Sequence, residues 1–364
     1  MIYKQFADLK LSALGLGTMR FPTVGEDPAA VDMEKTREIV DHAFRNGVNY
    51  FDTAWFYHAG KSESVMGEIL SAYPRESFYL ATKFPGLDPK NLEKKEDIFE
   101  EQLKRCRVDH FDFYLFHNVS DKTIDDYLNP AYGLLDYLLE QKKKGRIKHL
   151  GFSTHASNGQ FVRFLDAYGA HMEFCQIQLN YLDWNYQAAG EKVRILNERN
   201  IPIWVMEPVR GGKLAALSPE HLVKMKAIRA EESPAAMAFR FIQSQKGICV
   251  TLSGMSNLAQ VKENIATFSE EKPFTEKELQ AIFEIADDMV AQNALPCTAC
   301  RYCEEKCPKK LPISQIFAEY NATRRVTGEN VPTACISCKQ CEKVCPQEIK
   351  IASVMTYLKE RKNA

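Results

Sequence analysis

Short apolar runs alternate with longer amphipathic stretches through the first 290 residues of the chain. The runs at 14–18, 49–52, 78–83, 111–117, 147–153, 174–178, 201–206 and 248–252 are too short for helices and rich in aliphatic and aromatic side chains, which predicts buried strands. Between them, segments such as 32–46, 62–71, 92–107, 131–144, 191–198 and 258–266 place apolar residues every three to four positions, the period of a helix with one face on a core. Eight such strands, each followed by a helix, in about 250 residues predict an α/β fold of the (β/α)8 TIM-barrel type. Ahead of the barrel, 2–5 and 9–12 around Asp8 read as a hairpin that caps its bottom. A final helix, 276–292, leads to Pro296, so the expected division is a barrel at 1–290 and a second domain at 291–364.

Beyond 290 the pattern becomes an internal repeat offset by 38 residues, with Cys297 matching Cys335, Cys307 matching Cys345, and 311–320 matching 349–358. Apolar positions repeat at Ile313/Ile351 and Ile316/Val354, so each half reads as a ligand loop followed by a helix that covers it. The stretch 323–333, with Arg324, Arg325, Gly328, Asn330 and Pro332, reads as the connecting loop. Eight of the eleven cysteines lie in this repeat, as Cys297-x2-Cys300-x2-Cys303-x3-Cys307-Pro308 and Cys335-x2-Cys338-x2-Cys341-x3-Cys345-Pro346. That spacing is the ligand run of a two-cluster 4Fe–4S protein, in which the fourth cysteine of each run serves the other cube. One cluster would take Cys297, Cys300, Cys303 and Cys345, and the other Cys335, Cys338, Cys341 and Cys307. Zinc also uses Cys-x2-Cys pairs, but it gives no reason for a third step or for the trailing Cys-Pro. A disulfide framework suits small secreted chains, whereas this chain has 364 residues and no secretory apolar segment is read at its start. The expected second domain is therefore a small α+β ferredoxin-like iron–sulfur module. Cys106, Cys175 and Cys249 sit in apolar contexts and read as small buried hydrophobes.

Net charge is −1 and no apolar run approaches the ~18 residues of a membrane span, so a cytoplasmic protein with no membrane partner is expected. Residues 291–364 carry twelve Lys and Arg against seven Asp and Glu. Two anionic cubanes would cancel most of that excess, and nucleic acid is not an expected partner. Oligomeric state is not legible in the pattern.

Chemistry in such a barrel gathers at the C-terminal ends of the strands. Read in order, those ends bear Asp52, Lys83 and His117, with Tyr57 in the loop after Asp52. A phenol is a poor acid at neutral pH unless a nearby ammonium stabilises its anion. Lys83 can supply that charge, Asp52 can hold Lys83 in place, and a neutral His117 can donate to a carbonyl oxygen. These residues lie within Tyr50-Phe51-Asp52-Thr53-Ala54-x2-Tyr57, Ala81-Thr82-Lys83 and Phe113-Tyr114-Leu115-Phe116-His117, which together resemble the catalytic signatures of the aldo-keto reductases.

That resemblance implies reduction of an aldehyde or ketone, reversible with the alcohol, by NADP or NAD bound without a Rossmann fold. Carried over by position, Gly17, Thr18 and Met19 would touch the nicotinamide end beside Asp52. Ser153 and Gln176 would bond the carboxamide, and 208–214, with Pro208, Arg210, Gly212 and Leu214, would wrap the pyrophosphate. Gly254, Ser256, Gln260 and Asn264 would meet the adenosine end. Many members place a Lys at the position of Gly254 and an Arg at that of Gln260, both gripping the 2′-phosphate, so their absence weakens the case for NADP over NAD. His58 stands where glycine is common, and Glu207 is a carboxylate near the cofactor region that reads either as an unassigned functional group or as a pocket-edge carboxylate paired with Arg210.

Hydride transfer needs no iron, and cubanes move single electrons, so three readings follow. In the first, a carbonyl reductase carries an appended iron–sulfur module for electron transfer, redox sensing or structure. In the second, the clusters feed the barrel site through a flavin such as FMN, with an electron-transfer protein as partner. In the third, the barrel is a non-catalytic redox or partner-binding module, which the intact set of four residues disfavours.

Overall fold

The computed structural model describes residues 1–291 and 295–360. A hairpin of β1 (Tyr3–Phe6) and β2 (Leu9–Ser12) precedes eight barrel strands: β3 (Leu14–Gly17), β4 (Tyr50–Asp52), β5 (Tyr79–Phe84), β6 (Phe111–Val119), β7 (Ile147–Thr154), β8 (Phe174–Gln178), β9 (Ile203–Met206) and β10 (Ile248–Ser253). All eight run parallel and close in the order β10-β3-β4-β5-β6-β7-β8-β9. The hairpin does cap the bottom. Phe6 enters the barrel among Tyr50, Phe113, Phe174 and Trp204, meeting the Trp204 ring edge-on at 5.0 Å. With that end plugged by aromatic packing, ligand access is left to the opposite mouth.

Helices Met33–Arg45, Ser62–Leu70, Lys95–Cys106, Leu134–Lys143, Ala189–Glu198 and Leu258–Thr267 occupy the expected segments. The helix expected from 131 begins at Leu134, because Pro130–Tyr132 forms a tight 3-10 turn and Gly133 adopts φ 57°. Likewise β9 starts at Ile203, after Pro202, which has no N–H to give the ladder. Asn158–Tyr168, Pro219–Ile228 and Pro234–Gln243 are further helices. In the last of these, residues 236–242 are all buried, Arg240 included. The final barrel helix spans Glu276–Ala291, and Gln292, its expected end, lies outside the described residues.

The C-terminal module contains single turns at Tyr302–Glu305 and Gln340–Lys343 and helices at Ile313–Thr323 and Ile351–Glu360. Where an α+β module was expected, its described residues hold helices and loops but no strand. The repeat extends to the backbone. Left-handed φ values recur at Ala299 and Ser337 (both 53°), Arg301 and Lys339 (66° and 59°), and Lys310 and Glu348 (49° and 51°). Glu304 accepts from Ser314 N at 2.8 Å, and Glu342 from Ala352 N at the same distance. Each carboxylate thus takes one of the N–H groups left unpaired in the first turn of the following helix. Among the described residues no helix is long and apolar enough to cross a membrane.

Candidate active site

The tetrad converges because three of its members end adjacent strands. Asp52 pairs in register with Ala81 of β5, which places Lys83 one pleat further toward the mouth. The Lys83 ammonium donates to Asp52 Oδ1 at 2.5 Å and to the Thr53 carbonyl at 2.8 Å. Both charged side chains are buried, so the ion pair is desolvated and each charge depends on the other. Behind it, Gln102 Nε2 donates to the Lys83 carbonyl at 3.0 Å and to Glu63 Oε1 at 2.7 Å. Tyr114 Oη donates to Gln102 Oε1 at 2.6 Å. This buried network fixes the strand end that carries the lysine.

Tyr57 is presented by a turn in which His58 and Ala59 both take left-handed φ (52° and 49°) and Gly60 follows at 86°. Such angles cost non-glycine residues energy. His58 helps hold the turn, its ring nitrogens lying 3.0 Å from Pro28 O and 3.1 Å from Thr18 O. Lys83 Nζ lies 5.1 Å from the centre of the Tyr57 ring, and His117 meets that ring edge-on at 6.1 Å.

Lys83 is expected to lower the tyrosine pKa, and burial acts in the opposite direction. Burial pushes the Tyr57 phenol well above its usual value, and Asp52 and Glu207 reinforce that direction. The phenol is therefore fully protonated at neutral pH. Burial, with Lys83 adding to it, drives His117 well below the usual imidazole value, so its ring is neutral.

Asp52, Tyr57 and His117 open on a cavity of about 1150 Å³. Of the residues assigned to cofactor, Gly17, Met19, Asp52, Ser153, Gln176, Pro208, Gly212, Gly254, Ser256, Gln260 and Asn264 all border it. Gln176 Oε1, His117 Nδ1 and Asp52 Oδ2 are buried without a hydrogen-bond partner, the kind of polar group a bound ligand satisfies. A long groove with orphaned amide and imidazole atoms at its inner end fits a dinucleotide with a carboxamide.

Three assigned side chains turn away. Thr18 Oγ1 lies 2.6 Å from Ser62 Oγ, Leu214 is buried, and Arg210 is buried with its Nε 3.0 Å from both Asp183 oxygens. Arg210 thus pairs with Asp183, because the fold offers that carboxylate in the interior, and the expected Glu207–Arg210 pair does not form. Glu207 itself borders the cavity, and burial lifts its pKa to about 7. Gly254 has a steric reason: a Cβ there would stand 2.6 Å from Arg20 Cγ.

The cavity's roof is the cysteine module. Cys300, Tyr302, Glu305, Lys306, Gln340, Lys343, Val344 and Pro346 border it opposite the tetrad. Arg20 donates to the Thr298 and Ala299 carbonyls at 2.7 and 2.8 Å, and Lys213 donates to Leu295 O at 3.0 Å. Gly211, at φ +64°, lies so close to the Thr298 carbonyl that a Cβ would stand 1.9 Å from it. On the other flank Lys122 donates to Glu342 O at 2.6 Å, and Gln347 exchanges hydrogen bonds with Gln178 and Gln187. Arg20 and Tyr302 were missed from sequence, because Arg20 lies just past the 17–19 run and Tyr302 is an x position between Cys300 and Cys303, and only docking brings them to the site.

None of the eight module cysteines is in a disulfide. Cys345 lies close enough to Cys297, Cys300 and Cys303 to oppose the ionisation of each. Cys307, Cys335, Cys338 and Cys341 border one separate small pocket. Thiols crowded in this way resist becoming thiolates together unless a cationic core neutralises them. The crossed grouping therefore fits two cubanes.

Residues 13–287 match the family model described as "Aldo/keto reductase family", and residues 296–349 match "4Fe-4S dicluster domain". Among curated proteins the chain is 26% identical to L-galactose dehydrogenase of Arabidopsis thaliana, over 76% of this chain and 92% of that one. It is 25% identical to the NADH-specific methylglyoxal reductase of Escherichia coli, over 72% and 91%. Among solved structures it resembles the holo form of aldo-keto reductase AKR11C1 from Bacillus halodurans, with a TM-score of 0.63 at 24% identity over 78% of this chain and 96% of that one. A barrel with these motifs, matched along most of its length, places the chain in the aldo/keto reductase family, with a 4Fe-4S dicluster domain at its C-terminal end.

Proposed function

We propose that the barrel reduces a small aldehyde or ketone with a nicotinamide cofactor, using Asp52, Tyr57, Lys83 and His117 under a roof that holds two 4Fe–4S clusters. The observation that carries this reading is the buried Lys83–Asp52 pair beneath Tyr57, at the inner end of a groove whose unpartnered polar atoms suit a carboxamide. Bound nicotinamide supplies the hydride. Neutral His117 donates to the carbonyl oxygen and orients it, and the hydroxyl of Tyr57 gives up its proton as negative charge builds there. Lys83, fixed by Asp52 and Thr53 O, steadies the phenolate left behind. The roof excludes water, which strengthens each of these interactions. Ser153 and Gln176 would hold the nicotinamide end, and Gly254, Ser256, Gln260 and Asn264 the adenosine end. Cys297, Cys300, Cys303 and Cys345 would ligate one cluster, and Cys335, Cys338, Cys341 and Cys307 the other.

The test uses anaerobically prepared protein with NADH and NADPH across a panel of aldehydes and ketones. Tyr57→Phe should lower kcat by about 10²–10⁴-fold while nicotinamide affinity stays unchanged. Full activity in that variant would refute the assignment.

One observation favours a second reading, in which the clusters supply electrons to the cavity. Cys300 and Tyr302 border the same space as Tyr57 and His117, so the first cluster would lie at the site itself. Substrate reduction driven by a reduced viologen without nicotinamide, and lost in Cys300→Ala, would favour this reading over the first.

A further inference from the structure

We infer that the exposed rim of the second cysteine set is the docking surface for a small acidic protein that carries single electrons. The inference rests on the second reading above, in which the clusters supply electrons to the cavity, and it adds where electrons enter and what delivers them.

The internal repeat supplies the first argument. Two loops of one backbone design, 297–301 and 335–339, share their left-handed turns. The first is docked: Thr298 is buried, and Arg20 clasps the carbonyls of Thr298 and Ala299. At the position equivalent to Thr298, the second carries Ile336, which is 58% exposed, and Cys338 beside it is exposed as well. Ile336 therefore stands largely uncovered beside a cluster ligand, where its twin position is covered by the barrel. The second loop thus presents outward the surface that its twin presses onto the barrel.

Charge identifies the occupant. Lys309 and Lys339 border the second cysteine pocket, and Lys310 and Lys350 each lie one residue from its border. All four are exposed, and among the described residues none is held in an ion pair. Of the carboxylates close by in sequence, Glu342 is committed to Ala352 N and Glu348 is exposed, which leaves the lysines in excess. Unpaired lysines at and beside the border of the second cysteine pocket complement an acidic partner, and such charge chiefly raises the association rate. In the transfer itself no bond is made or broken. The reduced carrier would lose one electron to the cluster that Cys307, Cys335, Cys338 and Cys341 would hold, and two such electrons with two protons, one from Tyr57 and one from solvent, would take a carbonyl in the cavity to its alcohol.

The test measures binding of holo protein to an oxidised acidic 2Fe–2S ferredoxin, so that the readout does not depend on turnover. Affinity should fall steeply with salt. Lys309→Glu with Lys350→Glu should weaken binding about tenfold or more at low ionic strength, with iron and sulfide content unchanged. Lys226→Glu with Lys277→Glu, an equal change in net charge on the barrel, should leave it within about twofold. If the reversal costs iron, Lys309→Gln with Lys350→Gln should still give an intermediate loss. Salt-independent binding, equal losses in the two double variants, or binding to anionic lipid vesicles but not to the ferredoxin would overturn the inference. Tight binding without substrate reduction would leave the docking surface standing and count only against electron delivery to the cavity.

Discussion

The two halves of the C-terminal module differ far less in sequence design than in what surrounds them. Each carries the same cysteine spacing, the same left-handed turns and the same glutamate bonded to the helix that follows. Yet the first half is pressed onto the barrel mouth, with Cys303 buried and Cys300 at the cavity, while the second leaves Cys338 in solvent. One local design therefore serves two environments, and the barrel decides which half receives which. The lesson concerns potential as much as shape, because solvent exposure and nearby dipoles tune an iron–sulfur cluster. The half facing the barrel and the half facing water should not behave as equal cubes.

The most severe way to break this comparison is to remove one crossed ligand from each run. Cys345→Ala should empty or strip the cluster at the barrel, and Cys307→Ala the outer one. Each should leave about half the iron and a single set of reduced-cluster resonances in electron paramagnetic spectra. Only the Cys345 variant should also disturb nicotinamide binding, because only that cluster organises the roof. Loss of the cluster belonging to the substituted residue's own run would overturn the crossing.

Acid should strike the barrel side next. Burial lowers His155, at the cavity, to about 4. The unfolded chain takes up a proton below about 6.5 while the folded imidazole stays neutral, so stability is complete above that pH and falls as pH drops toward 4. The loss approaches about 3 kcal/mol. All three tryptophans (Trp55, Trp184 and Trp204) are in the barrel, so tryptophan fluorescence melts should report this loss without signal from the module. In His155→Gln the slope between pH 6.5 and 4 should shrink.

Weaker perturbations compare the two docking edges. Arg20→Ala removes two charged hydrogen bonds to the first loop, a loss of about 1.5–3 kcal/mol if each is only partly replaced by water. Limited proteolysis near residue 295 should accelerate and nicotinamide should exchange faster. Gln347→Ala removes neutral amide contacts to Gln178 and Gln187 on the second half and should cost about 1 kcal/mol, with little change in cofactor exchange. Equal effects from the two would deny that the Arg20 edge governs cofactor exchange more than the Gln347 edge does.

Much of the molecule was legible from patterns. Strand ends at Asp52, Lys83 and His117 could be read because a buried parallel strand is a continuous apolar run whose polar terminus stands out. The helix Pro234–Gln243 escaped for the opposite reason, being buried throughout 236–242. Arg210 was misplaced because a motif position gives a residue's neighbourhood along the chain, whereas its partner Asp183 is 27 residues away and reached only in the closed barrel. Tyr57's acidity was only partly legible for the same reason. The sequence supplied a lysine to stabilise the phenolate but not the roof that desolvates it.

By itself, then, the sequence determined the barrel, the module's repeat, the cysteines available to each cluster and the four polar residues at the mouth. These follow from local periodicity and from ligand spacing, both written within a few tens of residues. The tertiary structure alone decided that the module closes over the mouth, that Tyr302 and Cys300 join the cavity, and that Cys303 and Cys345 of one set are buried while Cys338 of the other faces water. Those outcomes depend on shape fit between distant surfaces, such as the space that Gly211 leaves for the Thr298 carbonyl, and no window along the chain contains both sides of such a contact.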